Sequence, residues 1–178
     1  IHTESSNGKL SFVILNEPPS MSPISISKLN EESADFIMTE SVILSANDSP
    51  TTHIIEVGVD DPDGVSVVQA KMGRLAPIGS SEKWLSLNDV GENGDRIAGD
   101  GIYTITFEAR SSLGPGLIDI HIRALDIYQS MTPLSEQSHQ LNIERDSSVS
   151  GNSWFNGNMQ IIAILLTTFV ALAGMGVL

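Results

Sequence analysis

Through most of the chain apolar and polar residues alternate with a period of two; near the C-terminus the pattern becomes continuously apolar. In residues 53–59, Ile54, Glu56 and Gly58 fall on one face, against His53, Ile55, Val57 and Val59 on the other, which predicts a half-buried strand. Residues 102–108 alternate in the same way. In residues 117–125, Ile118, Ile120, Ile122 and Ala124 point away from Asp119, His121 and Arg123. Shorter strands are expected over residues 40–46, 65–72, 83–87 and 140–143. Turn chemistry separates these runs. In residues 60–64 a proline presets φ, aspartates cap the backbone and Gly64 takes a positive φ. An acidic stretch at 88–101 and a Gly-Pro-Gly turn within 111–116 do the same work. About seven strands at this spacing, with no credible helix between them, predict an all-β antiparallel sandwich.

The segment before residue 38 is less regular. Residues 9–15 form a plausible strand, bounded by Asn16, Glu17, Pro18 and Pro19, and a stiff Pro-rich stretch follows. Residues 25–29 are expected as a short edge strand, and 28–36 hold a few helix formers. The sequence thus divides into an N-terminal strand and linker (1–37), possible end of a preceding domain, a sandwich (38–145), a polar stem (146–158) and a terminal apolar run (159–178). That run of 20 residues contains no charge. At about 1.5 Å per residue it matches the roughly 30 Å hydrocarbon core of a bilayer. Trp154 and Phe155 stand where an interfacial aromatic belt would lie. A single transmembrane helix, with the lipid bilayer as its partner, is the expectation. The chain opens at Ile1 without an initiator Met, and nothing basic follows Leu178, so a longer parent protein is expected.

Composition narrows the classes. The mean hydropathy of +0.06 averages a hydrophilic body with the apolar tail. Acidic residues number 22 against 9 basic ones, for a net charge of −13. Such a surface repels nucleic acid, so no nucleic-acid partner is expected. There is no cysteine. A surface domain without disulfides must rest on its apolar core or on metal ions, which suits a prokaryotic envelope.

One succession of residues resembles a known class. Asp61-Pro62-Asp63-Gly64-Val65 is followed by Trp84-Leu85, then by Leu87 through Asp95, then by Ala98-Gly99-Asp100-Gly101-Ile102-Tyr103-Thr104. This is similar to the immunoglobulin-like modules of bacterial and archaeal surface proteins, including those called choice-of-anchor domains. Pro115-Gly116 and Ala124-x-Asp126 also fit, and the resemblance covers about residues 40–143. Val90 stands where the pattern has a second Asp. The resemblance implies an immunoglobulin-like fold and a non-catalytic spacer or binding role.

With strands lettered A to G from residue 40, the B–C, D–E and F–G loops of such a sandwich emerge at one end. Asp60, Asp61, Asp63, Asp89, Asp95, Asp100 and Asp126 would then approach one another. Ca²⁺ takes 6–8 hard oxygen ligands from loops of this kind, which makes Asp61, Asp63, Asp89, Asp95, Asp100 and Asp126 candidate ligands. The plainer alternative is that these acids serve their own turns. From Asp89 the EF-hand template matches only in part, since its third position is Gly91 and its twelfth is Asp100.

Catalytic signatures are thin. There is no nucleophile elbow, phosphate loop or His-Glu-x-x-His. His2, His53, His121 and His139 lack ligand-like spacing, and Trp84, Tyr103 and Phe107 are expected in the core. The function expected is a non-enzymatic, membrane-anchored cell-surface module acting as spacer, envelope component or adhesion unit. Two alternatives stand beside it. One is an accessory domain of a larger enzyme whose catalytic part lies upstream. The other is a filament subunit that donates residues 9–15 to a neighbour's open sheet.

Overall fold

A computed structural model of the chain describes residues 5–6, 9–10, 15–47 and 49–146. The chain divides into two units, and the architecture below is that of the first, Ile1–Arg145. The described strands are β1 (Ser5–Ser6), β2 (Lys9–Leu10), β3 (Ser20–Met21), β4 (Ser25–Asn30), β5 (Asp35–Thr39), β6 (Val42–Leu44), β7 (Thr51–Asp60), β8 (Val65–Lys71), β9 (Leu85–Ser86), β10 (Ile102–Ala109), β11 (Gly116–Asp126) and β12 (Ser138–Arg145). Three single-turn 3₁₀ segments are the only helical pieces among the described residues.

Two five-stranded sheets contain most of these strands. One has the order β10-β7-β4-β5, with β3 paired to the end of β7; the other runs β6-β12-β11-β8-β9. β1 and β2 pair only with each other in a separate two-stranded sheet. Pairing is antiparallel except between β6 and β12. The inward residues are those the alternation selects. Ile55 and Val57 of β7 and Phe107 of β10 meet Val68 of β8, Ile118, Ile120 and Ile122 of β11, and Ile143 of β12, all buried in one cluster. Each large aliphatic chain buried in this way contributes about 1.5–3 kcal/mol. The result is an all-β arrangement of two sheets over one core, compatible with a β-sandwich.

Two features depart from the alternation. Ile54 lies on the outer face of β7 and is nevertheless fully buried. The acidic loop folds over it at Gly94, where φ is 98° and an added Cβ would come within 2.4 Å of Ile54 Cδ1. His53, on the inner face, is also fully buried. Its Nε2 accepts the Ile43 amide at 3.1 Å. Nδ1 lies 3.3 Å from the Thr51 carbonyl, so the proton sits on Nδ1. The ring stacks on Phe107, with centroids 5.6 Å apart. Thr51 Oγ1 donates to the Ile43 carbonyl at 2.6 Å. Together these bonds join β7 of one sheet to β6 of the other.

The segment before residue 38 contributes to the sheet. β4 does not sit at an edge, as expected for residues 25–29, but between β5 and β7. Ile26 is buried there and Ser25 donates to Glu56 of β7 at 3.3 Å. The helix formers at 28–36 are instead a hairpin. Asn30 accepts the Glu32 amide through its side chain and the Ala34 amide through its carbonyl, closing a four-residue turn. Of the strand expected over 9–15, β2 covers Lys9–Leu10; residues 11–14 lie outside the described residues. So do residues 147–178, which include almost all of the expected stem and the whole apolar run. Among the described residues no helix is long and apolar enough to cross a membrane.

Candidate functional site

The three acidic loops meet at one end of the sheets. β7 runs into residues 60–64, and the Val59 amide donates to the carbonyl of Gly101, where the 88–101 loop closes. Across the end, the Ile127 amide donates to the Gly64 carbonyl, drawing in the loop after β11. Antiparallel pairing of β7 with β10 and of β8 with β11 makes this convergence unavoidable: each hydrogen-bonded pair puts one strand's start beside the other's finish.

Three of the six candidate ligands come together. Asp89, Asp95 and Asp100 each offer a carboxylate oxygen, all within 4.8 Å of one another. Asp95 is buried, Asp89 half-buried and Asp100 exposed. Neighbouring negative charges repel, and the loop opposes this with amides. Asp89 Oδ1 accepts from Gly99 at 2.7 Å and from Asp100 at 3.2 Å, while its Oδ2 accepts from Gly101 at 3.0 Å. Asp95 accepts from Gly91 at 2.6 Å and Ile97 at 3.2 Å. Asp100 accepts, among the described residues, only the Ile102 amide, at 2.9 Å. These bonds curl residues 89–101 around the carboxylates, and Thr106 Oγ1 pins the loop to β10 through the Asn93 carbonyl at 2.5 Å.

Asp61, Asp63 and Asp126 are not in that group. Asp61 Oδ1 closes its own turn, accepting the amides of Asp63 at 2.8 Å and Gly64 at 3.0 Å. Asp63 is exposed and supplies that turn with its amide. Asp126 is fully buried and closes the loop after β11, accepting the Tyr128 and Ser130 amides at 2.8 Å each. Its other oxygen accepts from the Asn16 side chain, which ties the N-terminal segment to this end. Burial pushes the Asp126 pKa upward, but the bonds from Asn16, Ser130, Tyr128 and Gln129 outweigh it and hold the carboxyl below its ordinary value. In the sequence Asn16 marks only the end of the strand expected over 9–15, and no local signal points to a partner 110 residues away.

Chemically, the arrangement is an acceptor-rich end with a rigid backbone. It can accept cations or donor-bearing partners. Burial, with the charge of Asp89 added to it, raises the pKa of nearby Tyr103. The aromatic residues divide. Phe107 is buried and Tyr103 packs half-buried against the core, as expected. Trp84 does not join them: the Arg123 guanidinium covers its ring at 4.0 Å and is itself held by Gln69 Oε1 at 2.7 Å. Among the described residues His139, half-buried on β12, finds no hydrogen-bond partner for Nε2, and burial followed by the charge of His121 lowers its pKa.

No protein-family profile matches the chain, and a comparison with curated proteins finds no match either.

Proposed function

We propose that the chain is a non-enzymatic, membrane-tethered surface module. In this proposal an immunoglobulin-like sandwich is carried on the polar stem at 146–158, and residues 159–178 cross the bilayer. The module acts as a spacer, envelope component or adhesive unit. One observation carries the proposal: an uncharged apolar run of bilayer length follows the last strand at a distance of only 13 residues, all within the polar stem. The strand order supports the finer fold reading. β7 and β10, lettered B and E, share one sheet, and β8, β11 and β12, lettered C, F and G, share the other, as in such a sandwich; β6 and β9, lettered A and D, lie with the second sheet instead of the first.

The acidic end belongs to the same proposal. Asp89, Asp95 and Asp100 are taken as a place where Ca²⁺ could stiffen a loop that no disulfide braces; Asp61 and Asp126 close turns beside it, and Asp63 is exposed in the turn that Asp61 closes. Three carboxylates supply part of the 6–8 oxygens Ca²⁺ requires, and water would supply the rest.

Alkaline extraction of membranes expressing the whole chain tests the tether. The chain is expected to stay in the pellet. The double variant Ile164→Arg/Leu166→Arg, at about 2.5–3.5 kcal/mol per central charge, is expected in the supernatant. Recovery of the unaltered chain in the supernatant would remove the proposal.

A further inference from the structure

β10 is the outer strand of its sheet, and its free side is only partly used. The Thr104 amide donates to the Asn88 carbonyl at 2.8 Å, and the Asn88 amide returns a bond to Thr104 at 3.0 Å. Backbone groups of an antiparallel strand alternate in direction, so Thr106 and Glu108 also turn their N–H and C=O outward. Among the described residues no strand lies beside them. β9 is only two residues long, so the facing sheet also stops short here. A cleft of about 850 Å³ opens at this place, with Met72, Leu75, Leu85, Ile105, Phe107 and Leu113 in its walls. Unused edge bonds beside the half-buried Leu85, Ile105 and Leu113 are what an added strand needs: the ladder gives affinity, and alternate side chains cover the cleft.

We infer that this cleft receives residues 9–15 of a second copy of the chain as an added strand along β10. The sequence there is Lys-Leu-Ser-Phe-Val-Ile-Leu, in which Leu10, Phe12 and Ile14 recur at a period of two. Seven extended residues reach about 23 Å and the six-residue edge 105–110 about 20 Å, so the lengths agree. Leu15, at the end of the segment, is 85% exposed. In its own chain, Lys9–Leu10 pairs with Ser5–Ser6 and Asn16 is anchored at Asp126, at the acidic end of the sandwich. Donation to a neighbour therefore joins the acidic end of one copy to the β10 side of the next. The inference does not depend on the membrane tether.

The absence of cysteine makes the test direct. If Leu10, Phe12 and Ile14 enter the cleft, Ser11 and Val13 face outward with Thr106 and Glu108, within cross-strand reach. Whole chains carrying Ser11→Cys alone and Glu108→Cys alone are mixed in detergent micelles and oxidised. The expected result is a mixed disulfide dimer several-fold above that of Ser11→Cys with Asp119→Cys, a position on the other sheet. Adding Phe12→Asp to the donor, which leaves the acceptor's sandwich untouched, should return the yield to the control. Equal yields for Glu108→Cys and Asp119→Cys would overturn the inference. So would a doubly substituted Ser11→Cys/Glu108→Cys chain that closes only within itself at every dilution.

Discussion

Sealed between β7 and β6, the His53 imidazole is pushed down to a pKa of about 4, chiefly by burial; the Thr51 carbonyl opposes the shift and the charge of Lys28 adds to it. An unfolded histidine titrates near 6.5. Below that value the unfolded chain binds the extra proton, so stability is complete above about pH 6.5 and is lost as the pH falls through about 4. The full difference amounts to about 3 kcal/mol. His139 acts in the same direction. Denaturant unfolding at pH 7 and pH 4.5 is expected to show a clear loss for the native chain and a loss about 2 kcal/mol smaller for His53→Phe. Equal losses would place the acid sensitivity elsewhere. The aspartates of the long loop rank by their bonds. Asp89→Ala strips three amides of their acceptor and is expected to lower stability by about 2–3 kcal/mol, while Asp100→Ala, exposed with one bond, loses under about 1 kcal/mol. Comparable losses at the two positions would contradict that ranking. At this scale sequence was a partial guide. It marked the aspartates as turn residues or ligands. It did not reveal that Asp126 reaches Asn16, or that His53 bridges two sheets, because both depend on residues far apart in the chain.

Strand periodicity was the legible part of the elements. The alternations at 53–59, 102–108 and 117–125 became β7, β10 and β11, each a residue or more longer than expected. Residues 40–46 shrank to the three of β6, since only Val42 and Leu44 reach the core. β4 was expected over 25–29, but at an edge, and β5 was obscured because no alternation marks it: its Ile37 and Met38 are both exposed. Ser27 is buried, and pairing to β7 on one side and to a hairpin partner on the other makes an internal strand from an unpromising sequence. The same element-level physics sets the mutational hierarchy. Ile120 and Ile122 sit fully buried on β11, between β12 and β8. Ile120→Ala is expected to lose about 2–5 kcal/mol, whereas Leu117→Ala on the exposed end of the same strand should change stability by under about 0.5 kcal/mol. Equilibrium unfolding separates the two, and similar losses would mean that β11 does not pack as described.

For the whole molecule, charge and attachment dominate. The acids gathered where β7, β8, β10 and β11 meet their loops make that end electronegative even before the chain's net −13 is counted. If Ca²⁺ occupies the group, the whole chain in detergent should melt several degrees higher in millimolar Ca²⁺ than in excess EDTA, since saturation at about 100 times the dissociation constant gives roughly 2.7 kcal/mol. Asp95→Ala and Asp100→Ala should each abolish the shift. Identical melts in Ca²⁺ and EDTA would leave the three carboxylates as loop braces alone. The tether is tested most directly by treating intact cells that express the chain with an external protease and following both ends. A membrane-anchored surface module predicts release of a soluble, folded fragment cut within the polar stem, while residues 159–178 stay with the membrane. A chain that is resistant until the cells are lysed, or that is recovered whole in the soluble fraction, would contradict the account.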